Sequence, residues 1–204
     1  MLVSVVNLKC SNCGAPLAES MSRCPSCDQP VVIKKFSSLL GLASTDLNMR
    51  WRLLNNETVG GRNGALTSGA DFTIGCCLLR LKMFDRALLS LGRVVTSDPY
   101  NVEALFCMAV AGLKGRRPFQ VPLADIRKIQ ECLDAALLID ERAIFRYFLA
   151  YLKYDFYERH FLRVVPNWQQ ELQASIVLGL SAEEQSELIN MVEDQGLKEF
   201  MNIS

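Results

Sequence analysis

From Phe36 onward, apolar residues recur at three- and four-residue spacing, β-branched alternation is rare, and Pro and Gly fall mainly between the periodic segments. This pattern predicts helices over 46–55, 69–81, 84–97, 101–114, 123–139, 142–158, 167–178 and 182–194. Ser181 followed by Glu184 forms a capping box for the last of them, and Gly196 is placed to terminate it. The run Val59-Gly60-Gly61-Arg62-Asn63-Gly64-Ala65 reads as a flexible turn. It is no phosphate loop, since no strand precedes it and no Lys-Ser/Thr follows. Tyr147, Tyr151 and Tyr154 recur at helical spacing and belong to a core. Before Phe36 the helical period is missing, and cysteine takes its place as the organising residue.

Eight cysteines divide into two sets. Cys76, Cys77, Cys107 and Cys132 are scattered through apolar helical stretches and read as small buried hydrophobes of a reducing compartment. Cys10-Ser11-Asn12-Cys13-Gly14 and Cys24-Pro25-Ser26-Cys27-Asp28 instead form two C-x-x-C pairs with ten residues between them. A C-x-x-C turn puts two thiolates on one side of a tight loop, and two such loops supply the four-sulfur tetrahedron that zinc prefers. Gly14 suits the backbone after the second ligand, and Pro25 stiffens the second loop. A redox dithiol needs only one pair, usually beside a βαβ unit, and none follows. So short a segment cannot bury enough surface to fold alone, which makes the metal its source of stability. The pattern resembles a short zinc ribbon of the kind found at the N-termini of many bacterial and archaeal proteins, although Asp28 stands where that family often has Gly. A rubredoxin-like iron site uses the same ligands with a longer separation, so zinc is expected and iron is the alternative.

The helical part contains an internal repeat. Gly75, Phe84-Asp85-Arg86-Ala87, Leu91, Val94 and Asp98-Pro99 are placed as in a tetratricopeptide repeat, with Asp71 where that family usually has Trp or another large apolar residue. Residues 102–143 make a second unit with Ala109 at the small position and the ending Ala136-Leu137-Leu138-Ile139-Asp140-Glu141. An inserted loop, Gly115-Arg116-Arg117-Pro118-Phe119-Gln120-Val121-Pro122, separates its helices. A degenerate third unit begins at Ile144, and Pro166 breaks the chain before its second helix. The chain therefore resembles the bacterial proteins that join an N-terminal zinc ribbon to tetratricopeptide-like repeats. The resemblance implies a mainly α fold, a helical solenoid with a small zinc ribbon. Its expected divisions are the ribbon at 1–35, a linker with an atypical helix at 36–66, and repeats with C-terminal helices at 67–204.

The same resemblance implies a protein or peptide partner held in a groove lined by the first helix of each unit. In that register Phe72 and Arg80 face the groove from the first unit, Phe106, Val110 and Lys114 from the second, and Phe148 from the third. Arg116, Arg117 and Phe119 of the inserted loop are expected as an exposed anchor beside it, because Arg and aromatics are common interface hot spots. Phe72 and Cys76 stand where chaperone-tail clamps use Lys and Asn, which argues against that specificity.

Charge narrows the choice of partner. Lys plus Arg equals Asp plus Glu at 22 each, against electrostatically driven binding to nucleic acid or an anionic membrane. Residues 1–35 carry Lys9, Arg23, Lys34 and Lys35 against Glu19 and Asp28, with no aromatic on which a base would stack. A nucleic-acid factor acting through the ribbon is therefore the second choice. The opening apolar run has no basic residue ahead of it, and no stretch is apolar for roughly 18 residues. A cytoplasmic protein without membrane insertion is expected. The single histidine, His160, has no cysteine at a spacing that suggests a nucleophilic pair, and no enzyme is expected.

Overall fold

A computed structural model describes residues 8–10, 12–18, 21–39, 42–59, 67–192 and 195–203. The apolar start at 1–7 and the Gly-rich turn at 60–65 lie outside the described residues. Among them the fold is mainly α, with two short paired strands and nine α-helices. The strands are β1 (Leu8–Lys9) and β2 (Pro16–Leu17), antiparallel with Leu8 opposite Leu17. The helices are α1 (Ser44–Val59), α2 (Thr67–Arg80), α3 (Phe84–Ser97), α4 (Val102–Gly112), α5 (Leu123–Ile139), α6 (Ala143–Leu152), α7 (Trp168–Val177), α8 (Ala182–Val192) and α9 (Gln195–Met201). No described helix is long and apolar enough to cross a membrane.

Periodicity located eight of these helices. It gave no α9, and Gly196, expected as a stop, lies buried inside that helix. The helix expected over 142–158 is α only to Leu152 and continues as a wider turn over Lys153–Glu158. Caps are supplied locally. The Asn101 side chain accepts the Ala104 amide, Asn167 and Gln170 form a capping box for α7, and Ser181 and Glu184 form one for α8.

Packing follows from which faces are apolar. The dominant pairings are α2 with α3, α4 with α5 and α6 with α7, three successive helical hairpins. In α3 the buried residues are Ala87, Ser90, Leu91 and Val94, one stripe of an amphipathic helix. By contrast α4 is apolar on nearly every side and contacts α2, α3 and α5. In α6 every residue except Arg146 is buried. Within each of the first two hairpins a small residue sits at the closest approach. A Cβ on Gly75 would lie 2.7 Å from Leu91 Cγ, and one on Gly112 would lie 2.7 Å from Ile129 Cγ1. Asp71, the polar residue at a usually apolar repeat position, crosses the α2–α3 hairpin to accept the Arg93 Nε at 3.0 Å.

These distances set a pair of opposed effects. In Gly75→Ala the gain in helix propensity, about 1 kcal/mol, is outweighed by overpacking against the fully buried Leu91, about 1–3 kcal/mol. In Gly92→Ala nothing lies within 4 Å of the new methyl, so propensity acts alone. Thermal melts are expected to show the first variant destabilised and the second stabilised by about 0.5–1 kcal/mol.

The C-terminal helices α8 and α9 close over α2, α4 and α6. Leu188, Met191, Val192, Leu197 and Phe200 join the main core, and the Arg80 guanidinium donates to the Asn190 carbonyl at 3.4 Å. Beside α8 a cleft of about 310 Å³ is lined by Lys35, Glu103, Phe106, Arg142, Glu184 and Glu187, among others. Burial pushes the Glu187 carboxyl up, Glu103 and Glu184 push the same way, and Lys35 and Arg142 oppose them. A raised carboxyl keeps its proton in the folded chain at a pH where the unfolded chain has released it. Stability from this group therefore falls as pH rises through and above the ordinary carboxylate range. Glu187→Gln is expected to raise the melting temperature at neutral pH and to leave it unchanged in acid, where Glu187 is itself neutral. An equal shift at both pH values would contradict this.

Candidate metal centre

The N-terminal module is two copies of one local structure. In the first, the Cys10 amide donates to the Ala15 carbonyl at 2.8 Å and the Gly14 amide to the Cys10 carbonyl at 2.9 Å. In the second, the Cys24 amide donates to the Gln29 carbonyl at 2.8 Å and the Asp28 amide to the Cys24 carbonyl at 2.9 Å. Each C-x-x-C loop is thus the turn of a small hairpin, the first between β1 and β2, the second closed by the Arg23–Pro30 bridge. Gly14 and Asp28 occupy the same place in the two loops, and both are left-handed, at φ 72° and 56°. The position demands that conformation. Glycine adopts it freely and Asp is among the few others that tolerate it. Arg23 reinforces the second loop by donating to the Asp28 carbonyl at 2.7 Å.

The two turns face each other. Cys10 Sγ lies 3.6 Å from Cys27 Sγ and Cys13 Sγ lies 3.6 Å from Cys24 Sγ, with all four sulfurs within 4.8 Å of one another. Sulfur–sulfur bonds are about 2.05 Å long, so no disulfide is formed. Four ligands at about 2.3 Å around a tetrahedral ion stand about 3.8 Å apart, which matches the observed separations. Cys10 and Cys24 are buried with Leu17 and Val31 in a small core of their own, Cys27 is half-buried and Cys13 is exposed.

The electrostatics are those of a cation site. The backbone amides of Cys13 and Asn12 lead in pulling the Cys10 thiol down, to about 6. Burial disfavours the Cys24 thiolate, yet the amides of Ser26 and Cys27 and the contact with Cys13 outweigh it and lower this thiol also. The Ala15 amide favours the Cys13 thiolate, but hydrogen bonds with Cys27, burial, and the bonds with Cys24 and Cys10 push it up to about 12. Charge already on two sulfurs resists charge on a third. A divalent cation at their centre removes that conflict. The cluster has the donors, spacing and polarity to hold one metal ion.

The module is tied to the helices at defined points. The Arg50 guanidinium of α1, only 1% exposed, donates to the Met21 carbonyl at 2.8 Å. The buried Thr73 hydroxyl of α2 accepts the Ile33 amide at 2.9 Å, and Ile33, Phe36 and Leu39 belong to the main core.

The residues expected to meet a partner divide. Phe72, Phe106, Val110 and Phe148 are buried in the chain's own core, with Phe106 packed against Phe145 and Phe148. Apolar helical spacing marks a covered face, and here the cover comes from this chain. Arg80 and Lys114 line a cleft of about 200 Å³ against the end of α8, and Lys114 also pairs with Asp85 at 2.6 Å. Arg116 is half-buried. Arg117, expected as part of a free anchor, is bound internally to Asp155 at 2.8 Å and Glu199 at 3.1 Å. Phe119 is exposed at one edge, stacks on His160 at 4.5 Å and gives its amide to Asp155. His160 donates from Nδ1 to the Phe156 carbonyl at 2.8 Å. Cys76, Cys77 and Cys107 are fully buried; burial raises the Cys76 and Cys77 thiols, the latter to about 12.

For Asp155 the sequence makes ordinary ion pairing the expectation, with Lys153, Arg159 and Arg163 nearby. Its i,i+4 partner Arg159 is indeed 3.0 Å away, but the carboxylate is wholly buried and also organises Arg117 and Phe119. Glu199 carried no local signal, and that of Gly196 pointed to a helix end. No protein-family model matches the chain, and no curated protein and no solved structure matches it.

Proposed function

We propose that this chain is a non-enzymatic adaptor that binds a protein or peptide partner through tetratricopeptide-like hairpins and carries a structural zinc ribbon. The observation that carries the reading is the succession of three hairpins. Close-packed glycines sit in the first two, whose first helices α2 and α4 also touch each other. Such stacking builds an extended binding surface of solenoid type. Zinc is the ion best suited to four thiolates at tetrahedral separation, and the paired loops give it a closed coordination shell, as in structural sites. The non-enzymatic part rests on how the reactive side chains are used. His160 is a stacked helix-end residue, and burial raises the Cys76 and Cys77 thiols. On this reading the protein works in the reducing cytosol, where thiolates and core thiols persist.

Quantitative affinity capture from the native host tests the reading, comparing the wild-type chain with an Arg80→Glu, Lys114→Glu double variant whose helical melt is unchanged. At least one captured protein should fall severalfold with the variant. Identical capture by both chains and by an unrelated bait would remove the adaptor reading.

A further inference from the structure

We infer that the face shared by α2, α4 and α6 is a helix-binding surface occupied in cis by the chain's own α8–α9 segment, and that the partner it fits is an amphipathic helix replacing that segment. This rests on the adaptor reading and names the surface and the chemistry of its partner.

The seat is built for a helix. Tyr147, Tyr151 and Tyr154 stripe one side of α6 and its continuation, and the Phe200 ring lies 5.5, 5.7 and 5.2 Å from them. Gly196 brings α9 so close that a Cβ there would lie 2.6 Å from Arg117 Nε and 2.7 Å from the Tyr151 hydroxyl. At the edge, Glu199 accepts from Arg117 at 3.1 Å and lies 3.8 Å from Arg159. Both arginines are oriented from behind by the buried Asp155, so the donors for a carboxylate are set independently of Glu199.

The occupant is imperfect in a way that favours exchange. The helices are short, 11 and 7 residues, and helices of that length are marginal alone in water. Clefts of about 310 and 200 Å³ flank α8, and in the larger one Glu184 and Glu187 share the space with Glu103, which Arg142 already engages at 2.6 Å. A partner helix with apolar residues at the spacing of Leu188, Met191 and Val192, a neutral or basic residue in place of Glu187, and a carboxylate for Arg117 and Arg159 would fit better.

The test uses the full chain and a fluorescent peptide of residues 181–203 as the probe. Two variants weaken the cis contact without touching α2, α4 or α6: Gly196→Leu, which cannot sit against Tyr151, and Glu199→Lys, an exposed change that opposes Arg117 and Arg159. Both should bind the peptide about tenfold or more tightly than wild type, with faster amide exchange confined to α8–α9. If both keep a cooperative helical melt and bind the peptide no better than wild type, the segment is a fixed part of the fold and the inference is wrong. Global unfolding of both variants would overturn it equally. Peptide binding without any captured partner would count against the adaptor reading alone. Capture that persists without peptide binding would place the partner on another surface.

Discussion

Cys24→Ser is expected to unfold the N-terminal module and to stop there. Cys24 is buried, and its sulfur lies 3.6 Å from that of Cys13. A serine hydroxyl stays protonated at neutral pH and is a poor substitute for a thiolate ligand. The module's own core consists of Cys10, Leu17, Cys24 and Val31, two of them ligands. That is far too little apolar surface to offset the chain entropy of ordering the loops. On the proposed reading the module holds a structural zinc, which in such modules contributes on the order of 10–16 kcal/mol of apparent binding energy, and its loss then decides the outcome. The boundary is set by Ile33, whose amide is held by Thr73 and whose side chain belongs to the helical core. Limited proteolysis of the variant should cut within residues 10–31 and spare the chain from Ile33 onward, with the far-UV helical signal nearly unchanged. A module that stays protected, or a helical body that melts with it, would contradict this.

Glu171→Ala is expected to be the most damaging single change in the helical body. Glu171 of α7 is 2% exposed and accepts from Lys153 Nζ at 2.6 Å and from Arg146 at 2.8 Å. Lys153 is 5% exposed and also donates to the Pro166 carbonyl at 2.9 Å. Removing the carboxylate leaves a buried ammonium without its counter-charge, which costs about 3–5 kcal/mol. Against a total stability of about 5–15 kcal/mol for a typical domain, this is a large fraction. The double change Lys153→Met with Glu171→Leu removes both charges and should recover most of the loss, because the desolvation of two ions is then absent as well. Denaturant titrations of the single and double variants measure the difference. Equal losses in both would show that packing at this site, rather than charge, sets the cost.

What could be read in the sequence was local. The four-cysteine cluster was legible because a C-x-x-C turn is a self-contained structure, and the repeated loop geometry at Gly14 and Asp28 follows from it. Helix positions were legible because apolar periodicity records a buried face. What periodicity does not record is who buries it. Phe72, Phe106 and Phe148 have the spacing of groove residues, but core residues have the same spacing, and all three are buried in the chain's own core. Gly196 misled for the same reason. A glycine just after an apolar run normally ends a helix, whereas here it admits the close approach to Tyr151 and Arg117. The burial of Asp155, Lys153 and Glu171 left no local mark, because Arg117 lies 38 residues from Asp155 and Glu171 lies 18 residues from Lys153.

The most direct measurement of the account is the metal content of the gently purified full chain, by native mass spectrometry beside elemental analysis. One zinc ion per chain is expected for wild type and none for Cys24→Ser. Well under one zinc in the wild-type chain, iron in its place, or zinc retained by the variant would contradict it.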